Sequence, residues 1–136
     1  LSGMDNVQNN DDGAAMRIAP IGVMCAGNPQ KAIELALIES EISHANDGIW
    51  AAQAVAASVA VAMVNNSVED IIQAGLDTIP DDSWLGRSMA RAFDICDSAG
   101  DIETAWEDLH TQFWTPVHST AAEAIPQAYS IFKLTN

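Results

Sequence analysis

Gly13-Ala14-Ala15-Met16-Arg17 is the segment of this chain whose residue types best suit the holding of an anion. A glycine followed by two alanines at a helix start leaves room for close approach by a ligand. The first amides of a helix have no internal partner and carry partial positive charge, so they can take a phosphate or carboxylate. The plain alternative is that Gly13 is a loop glycine and the alanines only pack. Thirty residues after Ala14 comes Ser43-His44, beside Ala45-Asn46-Asp47-Gly48. A histidine that ends one helix and precedes another can bind a ligand, or it can simply cap the last carbonyls of its own helix.

The other polar residues offer less. Asp11-Asp12, Asp81-Asp82 and Glu107-Asp108 are tempting as metal pairs. However, Asp81-Asp82 follows a proline and precedes a helix, as caps do, and adjacent helix positions such as Glu107 and Asp108 face different directions. There is no HExxH, no calcium-binding EF-hand loop and no Ser-His-Asp nucleophile elbow. His118 stands open between a cleft-facing and an exposed role, and Glu123 could pair with Arg17, Arg87 or Arg91. Trp50, Trp84, Trp106 and Trp114 are far apart and read first as core or helix-face packing.

These residues must be positioned by helices. No strand alternation of useful length is present, and the spacing predicts seven helices. The first, Ala14–Ala26, carries Pro20 inside it, which should kink or restart it. Gln30–Ser43 follows with a broad apolar face. Asp47 is expected to cap Ile49–Val64, which is apolar nearly all round and therefore expects burial on several sides. Ser67 opens a helix to about Thr78, and Asp81-Asp82-Ser83 caps one from Trp84 to about Ser98. Asp101 opens another to about Trp114, and Ala121 to about Leu134 is the last, with Pro126 inside the pattern. Residues 1–12 are polar, lack a period and read as a loop or linker.

Composition narrows the class. Apolar residues are 49% of the 136, aromatics only 6%, so close helix–helix contact through small side chains must do much of the packing. Nineteen acidic against five basic residues give a net charge of −14. That argues against nucleic acid, whose phosphates need a basic surface, and against an anionic membrane surface. Ala51–Val64 is too short and too interrupted to span a bilayer. Cys25 and Cys96 are far apart without a pairing pattern, as in a cytoplasmic protein with reduced thiols.

The Gly13–Arg17 segment, the Ile42-Ser43-His44-Ala45-Asn46-Asp47-Gly48 stretch and the alanine-rich helix after it together resemble the ADP-ribosylglycohydrolase family, from about Asp12 to the C-terminus. The resemblance implies an all-α fold, a multi-helix orthogonal bundle, with residues 13–136 a helical segment of one such domain. It implies that Gly13, Ala14, Ala15, Met16 and His44 line an ADP-ribose cleft and that Arg17 anchors the turn; Trp114, beside Thr115-Pro116, could flank an adenine instead of packing. Asp12 stands where relatives commonly have asparagine. It further implies a pair of magnesium ions and hydrolysis at the ribose C1″ of ADP-ribosylated proteins or small ADP-ribose derivatives. The Thr-Asp-Asp-Thr and Asp-x-Asp-Thr types of motif that hold those ions in the family are not found here. No catalytic residue or metal ligand is therefore expected from this chain. It opens at Leu1 and ends directly after an apolar helical pattern, so it is expected to be a segment of a longer enzyme, inactive alone and prone to self-association or to pairing with a complementary fragment. The alternative is a non-catalytic helical scaffold.

Overall fold

The computed structural model describes residues 3–6, 8–117 and 119–136. Among them are a 3₁₀ turn, Gly3–Asp5, and eight α-helices: α1 Gly13–Arg17, α2 Ala19–Met24, α3 Pro29–Ser40, α4 Asp47–Ala62, α5 Val68–Leu76, α6 Trp84–Ala99, α7 Ile102–Phe113 and α8 Ala121–Thr135. Among the described residues there is no strand, only an isolated antiparallel bridge between Asp11 and Thr120. The fold is all-α, as expected, with one helix more than the spacing predicts.

The extra helix comes from the run expected to be continuous over 14–26. It breaks at Ile18, and Pro20 falls in the first turn of α2, where its missing N–H is not needed. Proline thus restarts the helix rather than bending it. Pro126, by contrast, lies inside α8, which continues past it.

Helix α4 is the hub. It packs on α1, α2, α3, α5, α6 and α8. Ala51, Ala52, Ala54, Ala56, Ala57 and Ala60 are fully buried, and small side chains let the neighbouring backbones come close. Two clusters share it. One joins Ala51 and Ala54 to Ile72, Leu85, Met89, Ile125 and Tyr129; the other joins Ala52, Ala56 and Ala60 to Ala14, Ile18, Ala32 and Ala36. The helix expected to need partners on several sides finds them within its own chain, so self-association does not follow from it. A third cluster, with Ile95, Leu109 and Phe113, joins α6 to α7. Cys25 and Cys96 are buried and unbridged. No helix among the described residues is long and apolar enough to cross a membrane.

Caps fix the helix starts. Ser67 Oγ accepts from Asp70 N at 3.2 Å, Ser83 Oγ from Gly86 N at 2.8 Å and Asp101 Oδ1 from Thr104 N at 2.8 Å. Asp47 behaves differently from expectation. Helix α4 already includes it, and its Oδ1 accepts from Leu85 N at 2.9 Å, so it ties the start of α4 to the start of α6.

One buried polar contact joins three helices. Ser58 Oγ donates to Ile71 O at 2.8 Å, so the 2.7 Å contact with Tyr129 must be donated by the phenol. Burial pushes the Tyr129 phenol up to about 12. The folded value lies above the unfolded one of about 10. The stabilisation is therefore fully present below pH 10 and is lost as pH rises toward 12. Urea melts at pH 9 and 11.5 should show wild type losing on the order of 1–3 kcal/mol more than Tyr129→Phe. Equal losses would show that the phenol does not resist ionisation.

Candidate functional site

Three segments meet at the start of α1. Asn9 lies against the loop after α3, where its Nδ2 donates to Ser43 O at 2.8 Å and its carbonyl accepts from Ala45 N at 2.8 Å. On the other side, Asp12 N donates to Ser119 O at 2.8 Å and Ala121 N to Asn10 O at 3.1 Å. Among its described residues the polar segment read as loop or linker is irregular beyond its 3₁₀ turn, but residues 9–12 are stitched between the α3–α4 loop and the start of α8.

His44 closes the junction. It is only 6% exposed, and both ring nitrogens are engaged. Nδ1 lies 2.8 Å from Ser43 Oγ, and Nε2 lies 2.9 Å from Asp11 Oδ1. Ala14 N points at the same Nε2 from 3.2 Å. The Arg17 guanidinium donates to Ser43 Oγ at 2.7 Å. The same guanidinium reaches Glu39 at 2.6 Å and Gly13 O at 3.3 Å, the anchoring by carboxylate and carbonyl that the sequence suggests.

Asp11 also forms an Asx turn, its Oδ1 accepting from Gly13 N at 2.8 Å. Partial burial alone would raise its pKa. The Gly13 amide and the His44 ring outweigh that, and the carboxyl stays below its ordinary value. Its contribution to stability is therefore present above the usual aspartate range and is lost as pH falls through the lowered value. Asp12 moves the other way, raised by burial and by the charge on Asp11.

The structure brings Gly13, Ala14 and His44 into one cluster. Ala15 lies in the core beside α4, and Met16 is out at the surface, 76% exposed, with its amide bonded to Asp12 O at 2.9 Å. The Gly13 and Ala14 amides, attractive as anion donors in the sequence, are turned to Asp11 and His44 instead. Asp11 is the member that sequence reasoning missed as a partner of His44. Its place two residues before Gly13 is the Asx-turn spacing that could have revealed it. Glu123 binds the Thr115 amide and hydroxyl rather than an arginine, Trp114 is 51% exposed, and His118 lies outside the described residues.

Among the described residues, no three His, Cys, Asp or Glu side chains converge to hold a metal ion. Asp11, the acid nearest the cluster, is already committed to Gly13 N and His44. These donors do not fit a binuclear centre.

The family model for ADP-ribosylglycohydrolase matches residues 2–136, and the chain belongs to that family. Its members are generally metal-dependent hydrolases of ADP-ribosylated substrates. Neither a curated protein nor a solved structure matches the chain.

Proposed function

We propose that this chain supplies one wall of an ADP-ribose cleft in a hydrolase acting at the ribose C1″ of ADP-ribosylated proteins or small ADP-ribose derivatives. The observation that supports this is the locking together of Gly13, Ala14 and His44 in a chain of the ADP-ribosylglycohydrolase family. In this reading the chain's own residues bind and orient. The Gly13–Met16 turn presents its outer edge and the exposed Met16 to the ligand. His44 acts as a positioning residue, holding the turn through Asp11 and Ala14 while Arg17 clamps it from outside. Magnesium is the ion proposed for the complete enzyme, with ligands other than the residues described here. We place the enzyme in the cytoplasm on its cysteine usage.

A non-catalytic scaffold is the second reading. The commitment of Asp11 and the lack of converging metal donors among the described residues favour it. One experiment separates the two. The complete protein should release ADP-ribose from a modified substrate with magnesium and stop when EDTA is added. Gly13→Val should cut ADP-ribose affinity at least tenfold. A side-chain carbon at position 13 would lie 2.8 Å from Asp11 Oδ1 and 3.1 Å from His44 Nε2, so the Asp11 carboxylate must give way and its link to His44 is disturbed. A folded complete protein that neither hydrolyses nor binds ADP-ribose would establish the scaffold.

A further inference from the structure

The chain has five basic side chains against nineteen acids, and three of the five meet a carboxylate: Arg17 with Glu39, Lys31 with Glu34, Lys133 with Asp97. Among the described residues Arg87 and Arg91 do not. Arg87 donates to the Asp82 carbonyl, and Arg91 Nε donates to Gln112 Oε1 at 2.8 Å. Each guanidinium has five N–H donors, so most of its capacity is unspent.

Both arginines line the same groove, of about 280 Å³, between α6, the end of α7 and the start of α8. Trp84 and Trp114 line it too, 41% and 51% exposed. Among the described residues, no acidic side chain lines it. The volume is near the lower end for small-molecule pockets, roughly 300 Å³. Arg87 and Arg91 sit one helical turn apart on α6, so their forks fall on the same face. A forked guanidinium pairs with phosphate oxygens in two parallel hydrogen bonds, and an indole face accepts a stacked planar ring.

We propose that this groove binds a mononucleotide, with its phosphate on Arg87 and Arg91 and its base on Trp84 and Trp114. The groove shares no residue with the Gly13–His44 cluster, so the assignment goes beyond the proposed glycohydrolase reading and can fail independently of it. Two indoles with two guanidiniums make a site for a ring plus a phosphate. A bare anion would have no use for the indoles.

The test is calorimetric titration of the chain with AMP, adenosine, inorganic phosphate and phenyl phosphate. AMP should bind saturably, and the other three at least tenfold more weakly. Arg87→Gln, Arg91→Gln and Trp84→Leu should each weaken AMP at least tenfold with helix content unchanged by circular dichroism. Arg87→Lys should recover only part, because charge returns without the fork. Trp106→Leu should leave AMP affinity unchanged, since Trp106 is 48% exposed but stacks on His110 and does not line the groove. The proposal is overturned by no saturable binding, or by binding that survives both arginine changes. It is equally overturned if phosphate or phenyl phosphate binds as tightly as AMP.

Discussion

Gly75→Ala should destabilise the fold by about 2–4 kcal/mol, although alanine is the better helix former. Gly75 lies in α5 at the point where that helix meets α4 and α8. A methyl there would stand 2.6 Å from Ser58 Oγ and closer still to the Tyr129 hydroxyl. Neither group is the free end of a flexible chain. Ser58 is held by Ile71 O, and Tyr129 is held by Ser58. Moving the phenol breaks its hydrogen bond and leaves a buried serine oxygen underused, at a cost of about 1–3 kcal/mol. Overpacking adds about 1–3 kcal/mol, and the helix-propensity gain returns only about 1. Against a typical total of about 5–15 kcal/mol, this is a large fraction. Urea unfolding measures it, and a cycle with Tyr129→Phe identifies its cause. Removing the hydroxyl should make the added methyl less costly, so the double variant is more stable than the sum of the singles. A Gly75→Ala protein as stable as wild type would show that α5 can retreat without penalty.

Most of the helices are legible in the sequence, because helix ends announce themselves chemically. Ser67, Ser83 and Asp101 cap the helices that follow them, and Gly100, at φ +78°, stops α6 in the left-handed conformation that suits glycine. The errors occur where a residue's partner is distant in sequence. Asp47 has the form of a local cap, yet it serves Leu85, thirty-eight residues away. Ile49–Val64 reads correctly as buried as far as Ala60, while Met63 and Val64, beyond the end of α4 at Ala62, are exposed; and hydropathy does not say whether the covering comes from the same chain or another.

The site was legible in outline and not in detail. Gly13 and His44 stand out by residue type, and they do meet. What the pattern does not convey is direction. Helix-start amides attract whatever acceptor is nearest, and here the acceptors are the chain's own Asp11 and His44. Asp12 and Asp11 look equivalent in the sequence, yet one carboxyl is lowered by an amide and a ring while the other is raised by burial and its neighbour's charge.

His44→Ala should lower stability and ADP-ribose affinity together. Reading His44 as a pure ligand contact predicts lost affinity with an unchanged melt, and reading it as a helix-end cap predicts the reverse. The geometry supports neither alone. The ring is buried, faces Asp11 and Ala14 rather than an open pocket, and links the polar segment at 9–12 to the start of α1. Its removal leaves the fully buried Ala14 without its ring partner and Asp11 with only the Gly13 amide, at a cost of about 2–4 kcal/mol. That is a fall in melting temperature of roughly 7–14 °C for a domain of this size. In the complete protein, the loosened Gly13 turn should weaken ADP-ribose roughly ten- to a hundredfold, or about 1.4–2.7 kcal/mol. Asp11→Ala supplies the decisive comparison, because Asp11 touches no ligand in this reading and the change removes the oxygen that the Gly13 amide and the His44 ring both meet. Asp11→Ala and His44→Ala should be non-additive in both stability and affinity, the second change costing little once the first is made. Strict additivity would mean that the two residues act separately, and His44 would then have to reach the ligand by some route other than the turn.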